Sequence, residues 1–481
     1  MKNRLICFLI GLCLFSLTGC EYKGRETIMK QIAANQETIE DIQNQIENDT
    51  VDTSDTLDGD ETEPVTGDDL TVAAQFAKDL SKENFDRLLK AYSYDEAMAE
   101  AMNSDETKKT ILFYNAEYGE VKKINDPYVL SLEGYEYVIV PVESSNSNFS
   151  YQIAFDGEHH IVGFTYGEYA PRDTDKEDTI PNGVFEEEYS FTSDGYVIPG
   201  TFTAPEDSAG LPVVILIQGF GPLNRDEGIY ENKPFRDIAW SLAKEGIASF
   251  RFDKRSYLYG EQMKEDTSVT IKEEVINDVL AAVAMVKKIE QVDPTRIYLL
   301  GHSLGGYVIP MLAESLPEAS GFIILSAPAQ HIKEYIYDQY KYLAEEDEII
   351  TAEEEKQLKA IVKEVKYLNT PEKIPDNQMI MGAYRDYWVD LSEYYPVKAA
   401  RDITKPVLVL WGERDFQVTM DQFKIWEESF KDLPNWSFKS YANLNHFMMP
   451  GEGKSYPEEY KTKSHVADEV IQDLIQFIIN N

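Results

Sequence analysis

The alternation of hydrophobic and polar residues changes character near residue 183. From there onward, short continuous apolar runs are separated by stretches with helical periodicity. Continuous apolar strands spaced by helices are typical of a parallel sheet covered on both faces. We therefore predict an α/β domain over residues 183–481, with functional side chains at the carboxyl ends of its strands. The predicted strands are Val213–Ile217, Ile247–Arg251, Ile297–Leu300, Gly321–Leu325 and Val407–Leu410.

Upstream of this region the pattern predicts a smaller α+β domain over residues 67–169. Helical periodicity covers Thr71–Leu80 and Asn84–Met102, and alternating strand-like segments follow as far as Phe164. Helices followed by a β-meander resemble the cone-shaped nuclear-transport-factor-like fold, and similar domains of unknown role precede bacterial hydrolases. Residues 170–182 are charged and bounded by prolines, which predicts a linker between the two domains.

The first 19 residues have the pattern of a signal peptide. Lys2 and Arg4 precede an apolar run that ends at Leu17, too short to span a membrane. The following Thr18-Gly19-Cys20 completes a segment that resembles the lipobox of bacterial lipoproteins. That resemblance implies cleavage before Cys20, lipidation of its thiol, and attachment to the extracytoplasmic face of a bacterial membrane through this anchor.

Residues 20–66 are polar and acidic and predict a tether that lacks a core of its own. Isoleucines recur within it at coiled-coil-like spacings over barely three heptads. This repeat favours a marginal helix or stalk over self-association, and the sequence does not determine the oligomeric state.

Charge and cysteine content exclude several classes of function. The chain has 86 acidic and 45 basic residues, a formal net charge of -41, which disfavours nucleic-acid binding. All three cysteines lie within the first 20 residues. The predicted domains therefore contain no disulfide, no cysteine nucleophile and no zinc site built from cysteine.

The strongest chemical motif is Gly301-His302-Ser303-Leu304-Gly305-Gly306. It follows a predicted strand and precedes an apolar helical stretch, the context of a nucleophile elbow. The sharp turn puts the serine backbone in a strained conformation, and the flanking glycines remove side chains that would clash. Ser303 is therefore the predicted nucleophile.

A serine hydroxyl needs a base and an acid that orients the base, and in this fold they follow the serine as acid, then histidine. Asp415 stands directly after the strand at Val407–Leu410, and we prefer it to Glu413. Of the histidines after Ser303, His446 lies in a loop behind a strand, the position expected of the base. His331 and His465 are expected at the surface.

A tetrahedral intermediate also needs two backbone donors. We predict the N–H groups of Leu304, which follows the nucleophile, and of Phe220, in the loop after the strand Val213–Ile217. That loop, Gln218 to Glu227, resembles the H-G-S-G-P-x-D-R-D-E segment of a group of bacterial carboxylesterases in the α/β-hydrolase superfamily. Gln218 and Asn224 depart from the histidine and aspartate usual in that group, which affects loop rigidity and substrate preference.

Further matches to this group extend the resemblance from about Glu186 to the end of the chain. They are Phe252–Arg255, Tyr387–Leu391, Gly412–Val418, Asn445-His446 and Pro450–Lys454. The resemblance implies an α/β-hydrolase fold with a mostly parallel sheet, a helical lid and carboxylesterase activity. The lid is the insertion at about residues 330–400, far longer than an ordinary connection. Its tyrosines either favour binding of an apolar or aromatic acyl group or pack the lid helices together. The candidates are Tyr335, Tyr337, Tyr340, Tyr342, Tyr384 and Tyr387.

These residues predict a serine hydrolase that cleaves small or medium esters through an acyl-enzyme, with no cofactor and no metal. Two alternatives remain open at this point. One is a peptidase or amidase resembling the prolyl-oligopeptidase relatives, and the other is a binding lipoprotein with an unused triad. The role of the N-terminal domain and the natural substrate are beyond the sequence.

Overall fold

The structure is a computed structural model that describes residues 64–132, 135–157, 159–169, 179–334, 359 and 362–481. The chain divides into two compact units. Residues 64–132 and 136–169 belong to the N-terminal unit, and residues 179–481 belong to the C-terminal unit. The predicted signal peptide with Cys20, almost all of the tether and most of the linker lie outside the described residues. In the described part of the chain, no helix has the length and apolar character needed to cross a membrane.

In its described residues, the N-terminal unit combines four helices with a five-stranded sheet. Strand β1 pairs antiparallel with β3, and β3, β4 and β5 form an antiparallel series. Apolar side chains from both kinds of element, such as Phe76 and Ile153, share one buried core. The α+β class predicted for this region is confirmed. The helices are Asp69–Ser81, Phe85–Lys90, Glu96–Asn103 and Asp105–Tyr118, and the strands are β1 (Val121–Ile124), β2 (Tyr128–Leu132), β3 (Tyr135–Ser144), β4 (Phe149–Phe155) and β5 (Ile161–Glu168).

The single helix predicted over Asn84–Met102 is wrong, because the structure has two helices there. Each begins at its own capping residue: the side chains of Asn84 and Asp95 accept a hydrogen bond from the backbone N–H three residues later. Ser104 caps the next helix, Asp105–Tyr118, in the same way. Side chains of these types favour helix starts over helix interiors, and this signal was available in the sequence.

The C-terminal unit is built on an eight-stranded sheet in the order β13-β12-β11-β10-β8-β9-β7-β6. Strands β8 to β13 pair in parallel, whereas β6 and β7 form an antiparallel hairpin that joins β9 at one edge. This is the strand order of the α/β-hydrolase fold, so the predicted fold class is confirmed. The strands are β6 (Val184–Ser193), β7 (Tyr196–Pro205), β8 (Leu211–Ile217), β9 (Ala248–Phe252), β10 (Val292–His302), β11 (Gly321–Leu325), β12 (Val407–Gly412) and β13 (Trp436–Tyr441).

Both faces of this sheet are covered by apolar packing. Along β8, Val213 and Ile215 enter one hydrophobic cluster while Val214 and Leu216 enter another, because successive side chains of a strand point to opposite faces. This two-sided burial explains why the strand is apolar at every position. The helices in its described residues include Pro234–Lys244, Arg255–Lys264, Asn277–Val286, Leu304–Tyr307, Ile309–Ser315, Arg385–Leu391, Pro396–Ala399, Met420–Phe430 and Asp468–Asn480, with a π-helical turn at Lys272–Ile276.

The long connection between β11 and β12 contains the predicted lid. Its described part includes the helices Arg385–Leu391 and Pro396–Ala399. Tyr387 is buried in the main apolar cluster, so its ring serves packing. The Tyr384 hydroxyl donates to the carbonyl of Lys264 over 3.0 Å. The other candidate tyrosines, Tyr335, Tyr337, Tyr340 and Tyr342, lie outside the described residues.

Candidate active site

Ser303 lies on the turn that joins β10 to the short helix Leu304–Tyr307. Its backbone has φ 52° and ψ −116°, a conformation that is unfavourable for a residue with a side chain. The Ser303 N–H donates to the carbonyl of Leu325 at the end of the neighbouring strand over 2.9 Å, which anchors the turn to the sheet. The side chain is half-buried. This is the geometry of a nucleophile elbow, which holds the hydroxyl at the carboxyl edge of the sheet.

Two glycines near the elbow stand where a side chain would be excluded or crowded. A Cβ atom at Gly305 would lie 2.2 Å from the carbonyl oxygen of Ile217, so the elbow helix could not approach β8 with any other residue there. A Cβ atom at Gly219 would lie 3.2 Å from Ser303 Cβ. The loop after β8, which carries Phe220, therefore runs directly beside the predicted nucleophile.

Asp415 and His446 form a buried pair at the same edge of the sheet. Asp415 follows β12, and His446 lies in the loop after β13. His446 Nδ1 donates to Asp415 Oδ2 over 2.7 Å. The other carboxylate oxygen accepts from the backbone N–H groups of Gln417 and Val418, each over 2.8 Å. These bonds fix the carboxylate, and the proton on Nδ1 leaves Nε2 as the proton-accepting nitrogen of a neutral ring.

Burial determines the protonation state of His446. The side chain is 2% exposed, and removal from water lowers the pKa of the imidazole below its ordinary value. Attraction to the Asp415 carboxylate opposes this shift but does not reverse it. The ring is therefore neutral at neutral pH, as a general base must be.

The structure separates Asp415 and His446 from their sequence rivals. Glu413 is exposed and accepts a hydrogen bond from Ser440 Oγ. His465 is exposed, as expected, and pairs with Asp237. The surface position expected for His331 is wrong: it is 2% exposed, and its Nε2 donates to the carbonyl of Leu391 over 2.9 Å. This buried bond ties the start of the long insertion to one of its helices.

A third buried histidine, His302, also lies at the site, and the sequence motif that contains it did not indicate its role. Its Nδ1 lies 2.9 Å from Glu227 Oε1, and its Nε2 lies 3.0 Å from the carbonyl oxygen of His446. Both nitrogens face oxygen acceptors, so the ring donates from both and carries a positive charge. Burial by itself would lower the pKa of His302, but attraction to Glu227 outweighs it and raises the pKa above its ordinary value. The base of this fold follows the nucleophile in sequence, so His302, which precedes Ser303, was not a candidate.

His302 and Glu227 join three parts of the site. His302 precedes Ser303, and its Nε2 donates to the backbone carbonyl of His446, which holds the loop of His446. The centroids of the two imidazole rings are 4.5 Å apart. Glu227 Oε1 also accepts from the N–H of Gly219 over 2.6 Å. The elbow, the histidine loop and the loop after β8 are therefore connected through one buried ion pair.

The two departures from the carboxylesterase motif both make hydrogen bonds that hold the loop after β8. Gln218 Nε2 donates to the carbonyl of Asn224 within the loop and to that of Phe252 at the end of β9. The Asn224 side chain accepts from the N–H groups of Asp226 and Gly228. Leu304 is the first residue of the elbow helix, where an N–H group has no acceptor within the helix. The predicted donors Phe220 and Leu304 thus belong to two segments that meet beside Ser303.

Comparison with known proteins agrees with this geometry. The chain is 31% identical over 411 residues to Esterase EstD of Thermotoga maritima, covering 84% of this chain and 94% of that protein. The chain belongs to the esterase family of the α/β hydrolases. Because the matched share exceeds the C-terminal unit, the relationship of this esterase-family protein to EstD extends into the N-terminal unit.

Each unit also matches a described family. Residues 235–393 match the "Prolyl oligopeptidase family", and residues 73–164 match a family described as "Protein of unknown function (DUF3887)". Among solved structures, Est1E from Butyrivibrio proteoclasticus is 20% identical with a TM-score of 0.40, covering 61% of this chain and 99% of that one. The hyperthermophilic esterase from Pyrobaculum calidifontis is 18% identical with a TM-score of 0.41, covering 61% of this chain and 85% of that one.

The described part of the chain does not bring together any group of three histidine, cysteine or carboxylate side chains that could hold a metal ion. The polar groups at the carboxyl edge of the sheet are instead paired with one another, as Asp415 is with His446 and Glu227 with His302. The chemistry that this arrangement supports is nucleophilic attack by a serine with proton transfer through a histidine.

Proposed function

We propose that this protein hydrolyses carboxylic esters through an acyl-enzyme formed on Ser303. The observation that carries the proposal is the strained elbow of Ser303 at the same sheet edge as the buried Asp415–His446 pair. The relationship to Esterase EstD supports ester substrates for this chain as well.

The proposed reaction uses only side chains and amides of this chain. Ser303 Oγ attacks the ester carbonyl carbon while His446 Nε2 takes the hydroxyl proton, and Asp415 stabilises the imidazolium that forms. The N–H groups of Phe220 and Leu304 donate to the oxyanion. Collapse of the intermediate breaks the bond to the alcohol, which leaves with the proton from His446. Water, activated by the same histidine, then releases the acid and regenerates Ser303.

Replacement of the nucleophile tests this mechanism. Ser303→Ala should leave less than about a hundredth of the wild-type rate on a p-nitrophenyl ester and should abolish labelling by a fluorophosphonate. The matched control is Ser315→Ala, at an exposed serine near the end of the following helix. A folded Ser303→Ala protein with near-normal turnover would refute the assignment.

The match of residues 235–393 to the prolyl oligopeptidase family makes amide cleavage the second candidate. A substrate panel separates the two, with acyl esters of increasing chain length on one side and aminoacyl amides of the same chromophore on the other. Ester hydrolysis should exceed amide hydrolysis in kcat/KM by orders of magnitude. Comparable values for both would favour the peptidase.

We further propose that the mature protein is held at the extracytoplasmic face of a bacterial membrane by lipid on Cys20. The lipobox-like segment Leu17-Thr18-Gly19-Cys20 and the acidic stretch after it support this proposal. Cys20→Ser should release the protein from the membrane fraction without a change in specific activity, since the catalytic residues lie far along the chain. Membrane association that persists in the variant would contradict it.

A further inference from the structure

A buried lysine contacts the backbone of the loop that carries Phe220. Lys254 follows β9, and its Nζ donates to the carbonyl oxygen of Gly219 over 3.0 Å. The same ammonium donates to Glu274 Oε1 over 2.8 Å, and both side chains are nearly inaccessible, at 3% and 0% exposed. A buried ion pair costs desolvation energy and is weak evidence for a role in stability alone. Its contact with Gly219 is therefore the feature to explain.

Glu274 is itself held in place from a third element. Its Oε2 accepts from the Tyr387 hydroxyl over 2.9 Å, and Tyr387 belongs to the helix Arg385–Leu391 of the long insertion. Glu274 lies within the π-helical turn Lys272–Ile276, an irregularity that is frequent at functional sites. Three elements thus fix the position of one ammonium group.

The peptide bond between Gly219 and Phe220 converts this contact into an effect on the oxyanion donor. The peptide is trans and planar, so the carbonyl of Gly219 and the N–H of Phe220 point in opposite directions. With the carbonyl held by Lys254 and the Gly219 N–H held by Glu227, the direction of the Phe220 N–H is determined. The positively charged ammonium that donates to the carbonyl oxygen also polarises the peptide and strengthens the Phe220 N–H as a donor.

We propose that Lys254, held by Glu274 and Tyr387, is a positioning residue that aims and polarises the Phe220 N–H toward the oxyanion. The proposal rests on the proposed ester hydrolysis at Ser303. Because an oxyanion exists only in the transition state and the tetrahedral intermediate, Lys254 should affect kcat and leave ground-state binding nearly unchanged.

The test removes both charges of the pair together, so that no buried charge is left alone. Lys254→Met/Glu274→Gln should lower kcat and kcat/KM for a p-nitrophenyl ester by about 10- to 100-fold, with KM within about threefold. Affinity for a boronic acid, which forms a tetrahedral adduct on the serine, should fall by a similar factor.

The matched control is the neighbouring buried ion pair of Arg255 and Asp278, which are 2% and 1% exposed. Arg255→Met/Asp278→Asn also deletes a buried pair, but its guanidinium donates to Ser193 and Asp194 on the β6–β7 hairpin side. This variant should keep kcat and boronate affinity within about threefold, whatever its melting temperature.

A single change provides a second test that does not depend on the folding of the double variant. Tyr387→Phe removes the hydroxyl that donates to Glu274 and should lower kcat by about 3- to 10-fold at unchanged KM. The proposal is overturned if either Lys254→Met/Glu274→Gln or Tyr387→Phe, correctly folded, keeps wild-type kcat and boronate affinity. It is also overturned if the Arg255 control loses as much. A wild-type protein without ester hydrolysis or fluorophosphonate labelling would refute the proposed function itself, which is a distinguishable result.

Discussion

A buried aspartate in the N-terminal unit and one in the C-terminal unit are equally inaccessible to solvent, but they have different kinds of hydrogen-bond partner. Asp79 in the N-terminal unit and Asp415 in the C-terminal unit are both 4% exposed. Asp79 Oδ2 accepts from Arg87 Nε over 3.0 Å and from the Tyr92 hydroxyl over 2.5 Å. Asp415 accepts from two backbone amides and from His446. Burial of a carboxylate is therefore not a mark of a functional site.

The difference lies in which partner can exchange a proton. A guanidinium stays charged throughout the physiological range, and burial together with Asp79 raises the pKa of Tyr92 far above its ordinary value. The phenol of Tyr92 and a guanidinium therefore do not exchange protons near neutral pH. Histidine is the side chain whose ordinary pKa lies nearest to neutral, and His446 lies at the sheet edge that carries Ser303. We therefore expect Asp79 to support the fold and Asp415 to support the chemistry.

The strongest test of this comparison uses two histidines that each pair with an aspartate. His446→Ala should lower kcat for a p-nitrophenyl ester by about 10⁴-fold or more, because the serine then lacks its base. His465, 3.1 Å from Asp237, is 58% exposed, and His465→Ala should stay within about twofold. Steady-state kinetics on both variants check this. If the two effects were exchanged, His446 would not be the base.

The pH dependence of activity tests the environment assigned to His446. Burial lowers the pKa of its imidazole, so the neutral, active form persists below the ordinary value of about 6.5. The value of kcat/KM should be at its maximum above that pH and should fall about tenfold per pH unit below the lowered pKa. Measurement of kcat/KM between about pH 4 and 8, corrected for spontaneous hydrolysis, gives the acid limb of this pH profile. An acid limb centred above about pH 7 would contradict the assignment.

The sequence predicted a single site because its candidate residues stand in short local patterns. Ser303, Asp415 and His446 lie in the turn or loops that follow β10, β12 and β13, and parallel strands end at one edge, so three local signals imply one site. The strand–helix alternation predicted the parallel part of the sheet for the same reason. The hairpin of β6 and β7 was not predicted, since β6 contains three consecutive glutamates and β7 is interrupted by proline, glycine and threonine, so neither strand has a long apolar run.

The residues that hold the site together could not be predicted in this way. Glu227 and His302 are 75 positions apart in sequence, and Glu274 and Tyr387 are 113 apart. Their pairing depends on which strands and helices become neighbours, and a single sequence carries no local signal for that. The motif matches at Phe252–Arg255 and Tyr387–Leu391 marked these segments without indicating what their side chains contact.

The smallest effect on activity is expected when Asp79, the buried aspartate of the N-terminal unit, is replaced. Asp79→Asn should destabilise the N-terminal unit by about 1–3 kcal/mol, because the buried bonds from Arg87 and Tyr92 lose a charged acceptor. Asp86→Asn, at an exposed carboxylate paired with Lys90, should cost less than about 0.5 kcal/mol. Hydrogen exchange resolved by segment measures both, and it reports the N-terminal unit separately from the C-terminal one.

Hydrolysis of a small ester should be unchanged in either variant, since the elbow, the acid, the histidine and the donor loops all belong to the other unit. Lost ester hydrolysis in Asp79→Asn, with undiminished protection in residues 179–481, would show that the N-terminal unit contributes to the active site, and the division of roles between the two aspartates would then fail.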